Sequence, residues 1–196
     1  MSASDVAIAT IKMEHRSLGT VLQTLRELLT SVAAGQAAAD FGLLSAALYY
    51  MNDFPERCHH PKEEEYLFKC LRMRTAELDP VLERLQAEHA RSAGVLGELN
   101  RKLVLYQAGA PDGLRHFQES VDNHAADMLA HFIVEDDVLR RANEVLTEPD
   151  WVHIAEAFAA NDDPLFGSNH RTEFTHLYRR IMVLPPQKVR RRFTDH

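Results

Sequence analysis

Two His-x-x-x-Glu pairs are the residues of this sequence whose spacing points most clearly to chemistry. His59 and Glu63 form one pair, and His131 and Glu135 form the other. Residues four positions apart on an α-helix lie one turn apart on the same face, so each pair presents an imidazole and a carboxylate side by side. Both groups are ligands of iron, manganese and zinc. The pairs therefore indicate a metal site, provided that helices carry them.

The elements that carry these pairs are predicted to be helices, because apolar residues recur at intervals of three and four. Glycines and prolines divide the chain near residue 35 and at 74–80, 109–113, 163–167 and 185–186. No segment alternates as a strand does. The pattern predicts an all-α protein built as an up-down-up-down four-helix bundle, with helices of about 30 residues and roughly 45 Å.

Two shorter helices are predicted after the bundle, at residues 148–160 and 168–184. A solvated basic tail follows at residues 188–196. We therefore predict two parts: a bundle at residues 1–146, and a C-terminal helical extension with the tail at residues 147–196.

Four histidines lie on the apolar stripes of the long helices. At about 100° per residue, His15 faces the core from the first helix, His59 from the second, His89 from the third and His131 from the fourth. The two glutamates of the pairs share those faces. A buried carboxylate is costly unless it is paired or bound to a metal. A metal site is the simplest explanation of four imidazoles and two carboxylates directed inward.

The second helix offers an alternative pair, His60 and Glu64, which are also four residues apart. On the helical wheel they lie about 100° and 140° from His59, toward the flank, so we assign His59 and Glu63. Pro55 and Pro61 can kink the helix and rotate its later turns. This leaves His60 open as a substitute ligand or as a neighbour of the ligands. Glu64 is expected to be solvated or to orient a ligand imidazole.

The remaining histidines have no matching glutamate on their helical face. His124 lies two turns before His131 on the same stripe, about 10 Å away. It is predicted to be a polar gate to the site or a hydrogen-bonded core residue. The others are predicted to lie on the surface: His116, His153, His170, His176 and His196.

Two longer segments resemble the characteristic segments of the hemerythrin-like HHE cation-binding family, in its bacterial form. They are CHHPKEEEYLF at residues 58–68 and HFIVEDDVL at residues 131–139. The likeness includes the Glu-His dipeptides at residues 14–15 and 88–89 and covers residues 5–146. Any single pair is weak, but the ordered set of a histidine, a pair, a histidine and a second pair is specific.

The resemblance implies a non-haem di-iron centre inside a four-helix bundle. Two six-coordinate irons offer about twelve positions, and an oxo or hydroxo bridge together with the side chains leaves about two positions for a small ligand. Oxygen-carrying members have a fifth histidine where this chain has Ala93, which argues against simple oxygen carriage. The implied set has four terminal imidazoles and two bridging carboxylates: His15, His59, His89, His131, Glu63 and Glu135.

The function implied by the resemblance is the binding of oxygen, nitric oxide or peroxide for sensing, storage or stress response. The same ligands permit a peroxide-consuming or ferroxidase-like enzyme, and an iron-responsive interaction module is a third alternative. Histidine and glutamate also suit manganese and zinc, and the resemblance alone favours iron.

Residues 150–167 resemble the C-terminal extension of some bacterial members.

The overall charge and the cysteines limit the partners and the compartment. The net charge is −7, from 29 acidic and 22 basic residues, which argues against a nucleic-acid partner. The longest charge-free stretches have twelve residues, too few to span a membrane. Cys58 and Cys70 would lie roughly 18 Å apart on one helix, too far for a disulfide. We therefore expect a cytoplasmic protein with no membrane partner; the sequence does not predict its oligomeric state.

Overall fold

Six α-helices make up the protein in a computed structural model that describes residues 1–168 and 171–183. The first four helices are long: α1 (Ala3–Ala33), α2 (residues 41–74), α3 (Asp79–Gln107) and α4 (Gly113–Val145). Successive long helices pack against each other, and α4 also packs against α1, which closes the bundle. The described residues contain no strand. The predicted all-α four-helix bundle is confirmed.

Local sequence sets the ends of the long helices. Ser2 caps α1 through a capping box with Asp5, in which each residue's side chain accepts the other's backbone N–H. Gly113 begins α4 where a Cβ would lie 2.8 Å from the Cα of Tyr106, so only glycine fits without moving the backbone of α3. This close approach fixes the turn between α3 and α4.

The second helix is irregular at the place where the site residues lie. Pro55 and Pro61 have no backbone N–H to donate, and a wide π-turn begins at Pro55 and another two residues after Pro61. Such turns are frequent at functional sites. Together they leave His59 and Glu63 buried. The segments of α2 are Phe41–Phe54 (α), Pro55–His59 (π), His60–Lys62 (α), Glu63–Phe68 (π) and Lys69–Arg74 (α).

A polar layer divides the interior of the bundle into two apolar cores. On α1, His15 lies between Ile11 of one core and Leu18 of the other. On α4, Glu135 lies between Phe132 and Val138 in the same way. The buried polar residues of this layer are Glu14, His15, His59, Glu63, His89 and Glu135. The predicted site residues are thus sealed above and below by apolar side chains.

The fifth helix, α5 (Glu148–Ala159), packs against α1. Trp151, Ile154 and Phe158 are buried in the same core as Ile11. The capping box of Thr147 and Asp150 begins this helix, and Asp150 accepts two hydrogen bonds of 2.9 Å from Arg74 at the end of α2. The helix predicted at residues 148–160 is therefore confirmed to within one residue.

The sixth helix, α6 (Thr175–Val183), begins later than predicted, after one 3₁₀ turn at Thr172–Phe174. The predicted start at Ser168 is wrong, because aspartate side chains hold the preceding loop. Asp162 accepts a hydrogen bond from the backbone of Ser168, and Asp163 accepts two from residues 165 and 166. The tail at residues 188–196, His170 and His196 lie outside the described residues.

The exposed surface carries the other histidines predicted to lie there. His116, His153 and His176 are all exposed. None of the helices described in the structure combines the length and the apolar composition that crossing a membrane requires. The division at residue 146 into a bundle and an extension stays a prediction.

Candidate metal centre

The six residues of the predicted ligand set converge in the polar layer as two groups, which we call the inner half and the outer half. The inner half consists of His15 and His59 with one oxygen each of Glu63 and Glu135. The Nε2 atoms of the two histidines are 3.1 Å apart. His15 Nε2 lies 3.2 Å from Glu135 Oε2 and 3.7 Å from Glu63 Oε1. His59 Nε2 lies 3.5 Å from the same Glu63 oxygen.

The outer half repeats this arrangement with His89 and His131 and the other oxygens of the same glutamates. The Nε2 atoms of these histidines are 3.2 Å apart. His89 Nε2 lies 3.5 Å from Glu63 Oε2 and 3.4 Å from Glu135 Oε1, and His131 Nε2 lies 2.9 Å from Glu135 Oε1. Each carboxylate therefore presents one oxygen to each half, which is the arrangement of a bridging ligand.

Three carboxylates outside these groups fix the histidine rings through Nδ1. His59 Nδ1 is 2.7 Å from Glu14, and His131 Nδ1 is 2.7 Å from Glu88. His89 Nδ1 is 2.9 Å from Glu64. A carboxylate accepts the Nδ1 proton and leaves the lone pair on Nε2. With a cation bound, the Nε2 atoms of these three rings are therefore the atoms that would donate an electron pair to it.

These outer carboxylates are themselves held by further donors. Asn161, in the loop after α5, donates to Glu14 Oε1 at 3.0 Å. Gln86 donates to Glu64 at 3.3 Å, and Arg84 donates to Glu88 at 2.8 Å. The ring orientations therefore depend on side chains two contacts away from the centre.

The negative charges of the buried carboxylates favour the binding of a cation at the centre. Burial alone would lower the pKa of His15, but the carboxylates of Glu135 and Glu63 outweigh it and raise that pKa to about 10. Burial likewise opposes the charged form of His89, whose pKa the same carboxylates raise to about 9. The neighbouring imidazoles hold the pKa of Glu135 well below its ordinary value, although burial acts in the opposite direction. Both shared carboxylates have a lowered pKa and are ionised, as ligands of a metal cation must be.

The side chains present fit a pair of metal ions. Glu63 Oε2 and both carboxylate oxygens of Glu135 are buried, and their contacts with imidazole nitrogens among the described residues do not have hydrogen-bond geometry. Such an arrangement is costly unless a cation is bound. Two ligand atoms about 2.1 Å from one ion and at right angles to each other are about 3.0 Å apart, close to the separations observed. The geometry can therefore hold one ion in each half, with imidazole and carboxylate ligands.

The structure separates the two alternative pairs on α2. His59 and Glu63 are each 1% exposed. His59 belongs to the inner half, and Glu63 is shared by both halves. His60 instead stacks on the ring of His89, with centroids 4.0 Å apart and an 8° interplanar angle. Its Nδ1 atom lies 3.4 Å from Glu56. Of the two alternatives for Glu64, the geometry matches the one in which it orients an imidazole.

Two other positions, on the third and fourth helices, lie outside the ligand groups. His124 is buried, lines a cavity next to the outer half, and has no hydrogen-bond partner for Nε2 among the described residues. Ala93, which the resemblance places where oxygen-carrying members have a fifth histidine, is exposed on α3 and has no ligand atom.

Glu14, Glu88 and Asn161 are the functional residues that sequence reasoning missed. Glu14 and Glu88 precede His15 and His89 directly, and each contacts the histidine of the neighbouring helix that completes the same half. The repeated Glu-His dipeptide was a usable signal for both. Asn161 carries no such signal, because only the packing of α5 against α1 brings it to Glu14.

A scan against protein-family models matches residues 6–128 of the chain to the hemerythrin HHE cation binding domain. The match covers more than half of the chain and ends before His131 and Glu135, which the fold nevertheless brings to the other ligand candidates. No curated protein and no solved structure shows a significant match to the chain. With the family match, the buried His/Glu groups identify a metal-binding protein. The chain belongs to the hemerythrin HHE cation-binding domain family.

Proposed function

We propose that the chain holds two metal ions, one in each half, and that the metal is iron. Four imidazoles serve as terminal ligands, and Glu63 and Glu135 bridge the two ions. The family typically binds iron, and a donor set of imidazole and carboxylate suits iron, with manganese and zinc as the alternatives. The terminal ligands are His15 and His59 in the inner half and His89 and His131 in the outer half.

The observation that carries this proposal is the division of each carboxylate between the halves. Glu63 directs Oε1 toward His15 and His59 and Oε2 toward His89. Glu135 directs Oε2 toward His15 and Oε1 toward His89 and His131. A single-ion site would not require both oxygens of two buried glutamates to face imidazole nitrogens on opposite sides.

We further propose that the outer half binds a small ligand: oxygen, nitric oxide or peroxide. A redox-active pair of metal ions with a free coordination position would supply the affinity for such molecules. The inner half is covered by the ring of Phe132, which stacks on His15 with centroids 4.4 Å apart, and by Phe158 of α5, which contacts His59 edge-on. The outer half instead adjoins a cavity of about 360 Å³ that His89 and His131 help to line.

The apolar side chains around the centre have a defined part in this function. They keep bulk water from the buried carboxylates, which strengthens the attraction between the ligands and a cation. They also limit the approach to the outer half, because Phe132 and Phe158 occupy the corresponding space on the inner side. The proposed ligand therefore approaches the centre from the outer side. The two cysteines are free thiols, which supports the proposal of a reducing, cytoplasmic compartment.

Metal analysis of the purified chain, combined with visible spectroscopy, tests the proposal. We expect about two irons per chain. Under anaerobic conditions, nitric oxide should cause a spectral change that saturates at about one equivalent per pair of iron ions. Manganese or zinc in place of iron would contradict the choice of metal. Two irons without a response to oxygen, nitric oxide or peroxide would contradict the ligand. Steady turnover of many equivalents of peroxide would identify an enzyme rather than a binding protein.

A further inference from the structure

The cavity beside the outer half has a polar, partly exposed rim and a buried floor. It lies between α3 and α4, with residues of α2 beneath it. Arg84, Arg91 and Val95 of α3 and Asp127 and Ala130 of α4 line it and are exposed. The cavity is therefore open to solvent at the bundle surface and ends at the metal centre.

The cavity is much larger than a diatomic or peroxide ligand needs. Its volume is about 360 Å³. One water molecule takes about 30 Å³ of liquid, and an engineered cavity of about 150 Å³ binds benzene. The space is sufficient for an organic molecule of two fused rings.

The floor of the cavity favours an aromatic ring. Met51, Pro55 and Leu96 are buried there, and Met128 is partly buried. Methionine sulfur makes favourable contacts with aromatic rings at about 5 Å and adapts its shape to them. Two methionines beside a proline and a leucine thus form a surface for a flat apolar molecule.

His124 adds a polar group to these apolar surroundings. It is 9% exposed, lines the cavity, and its buried Nε2 atom has no hydrogen-bond partner among the described residues. Burial lowers the pKa of His124, so the ring is neutral at neutral pH. The Nε2 atom of a neutral imidazole donates in one tautomer and accepts in the other. A hydroxyl group can both donate and accept, so it matches His124 in either tautomer.

The charges of the cavity favour an uncharged ligand. Arg84 is paired with Glu88 at 2.8 Å, and Glu88 also contacts His131. At the rim, the remaining charged residues are Arg91 and Asp127, which have opposite signs. Away from the metal centre, the lining therefore offers no excess of either charge to a carboxylate or an ammonium group, whereas a neutral hydroxyl needs none.

We propose that this cavity is a binding site for a neutral phenol of one or two rings, with the aromatic body on Met51 and Met128 and the hydroxyl on His124. The site goes beyond the binding of a diatomic or peroxide ligand. It depends on His124, which is not a proposed metal ligand, although His89 and His131 also line the cavity. The preference for the hydroxyl group and the metal content are therefore measured separately.

A comparison of 2-naphthol with naphthalene tests the proposal on the purified, metal-loaded protein. The two probes differ only in the hydroxyl group, and fluorescence titration gives both dissociation constants. We expect about one equivalent of 2-naphthol to bind, with an affinity at least about fivefold higher than that of naphthalene, because the hydroxyl satisfies a buried nitrogen. The His124→Leu variant should lose this preference, and His124→Gln, which keeps a donor and an acceptor, should retain part of it.

The His116→Leu variant is the matched control, because His116 is an exposed histidine on the same helix outside the cavity. It should bind both probes as the wild type does. Absence of saturable 2-naphthol binding, or equal affinities for the two probes in the wild type, would overturn the proposal without any variant. A preference that survives in His124→Leu would also overturn it, since the hydroxyl would then contact another group, such as a metal ion. Metal content measured on the same samples shows separately whether the two proposed metal ions are present.

Discussion

The inner and outer halves of the centre have the same ligand types but different surroundings. In the inner half, Glu14 supports His59 and is 4% exposed, and Asn161 covers it. In the outer half, Glu88 supports His131 with its side chain 26% exposed. The inner half is closed by the protein, whereas the outer half faces the cavity and, through it, the solvent.

Part of this difference originates outside the four long helices. Helices α1 and α2 supply the inner histidines in the same way that α3 and α4 supply the outer ones, each with a Glu-His dipeptide and a His-x-x-x-Glu pair. The C-terminal segment breaks the equivalence, because Phe158 and Asn161 cover only the inner side. The same sequence pattern can thus produce a closed inner half and an accessible outer half in a single centre.

The largest expected effect comes from removing a shared carboxylate. Glu135→Ala should reduce the metal content from two ions per chain to one or none, because both halves lose a ligand at once. Elemental analysis and the visible spectrum measure this loss. Glu144→Ala, an exposed residue on the same helix, should keep two ions. An intact two-ion spectrum in Glu135→Ala would show that the glutamate does not bridge.

The supporting glutamates test the comparison between the halves directly. Glu14→Gln should weaken metal binding by about 10- to 100-fold, the usual cost of losing a partner that orients a ligand. Glu88→Gln should cost less, because water can reach the partly exposed position and replace the carboxylate. Chelator competition measures both affinities. Equal losses, or a larger loss in Glu88→Gln, would contradict the assignment of a closed and an open half.

A smaller effect is expected from Asn161→Ala, which removes the donor to Glu14 from the C-terminal segment. The affinity for the metal ion of the inner half should fall by less than tenfold, because Glu14 keeps its contact with His59. Asn100→Ala is the control, since the Asn100 side chain donates to the carbonyl of Leu96 on its own helix. If the two variants bind metal equally well, the C-terminal segment does not support the inner half.

The smallest effect concerns the attachment of α5, which covers the inner half. Hydrogen bonds from Arg74 and Thr147 hold the pKa of Asp150 well below its ordinary value. The stabilisation is therefore fully present above the unfolded pKa of about 3.9 and is lost as the pH falls below it. Asp150→Asn should lower Tm by about 2–4 °C at neutral pH, the effect of losing one helix cap.

Thermal unfolding of Asp150→Asn and the wild type across pH checks this prediction. The difference in Tm should shrink as the pH is lowered from 5 toward 2. A difference that is independent of pH would mean that the charge of Asp150 does not hold α5 in place.

The sequence was sufficient for the bundle and for the six ligand candidates, because both follow from helical periodicity. A straight helical wheel selects His59 and Glu63 although the helix contains two π-turns. Pro61 lies between the two residues, and both side chains are nevertheless buried at the centre. The start of α6 was placed too early, since the side chains of Asp162 and Asp163 hold the loop before it.

The asymmetry of the centre could not be predicted from the sequence. It depends on contacts between residues more than a hundred positions apart, such as Asn161 with Glu14. Neither residue belongs to a repeated pattern that specifies this pairing. The cavity likewise results from the packing of α3 against α4, and no single segment encodes it.

Mössbauer spectroscopy of the protein loaded with iron-57 tests the central claim of two unlike halves most directly. Two quadrupole doublets of equal area are predicted, one for the iron of each half, and nitric oxide should change only one of them. A single iron per chain, or a simultaneous change of both doublets on adding nitric oxide, would contradict a centre with one closed and one open half.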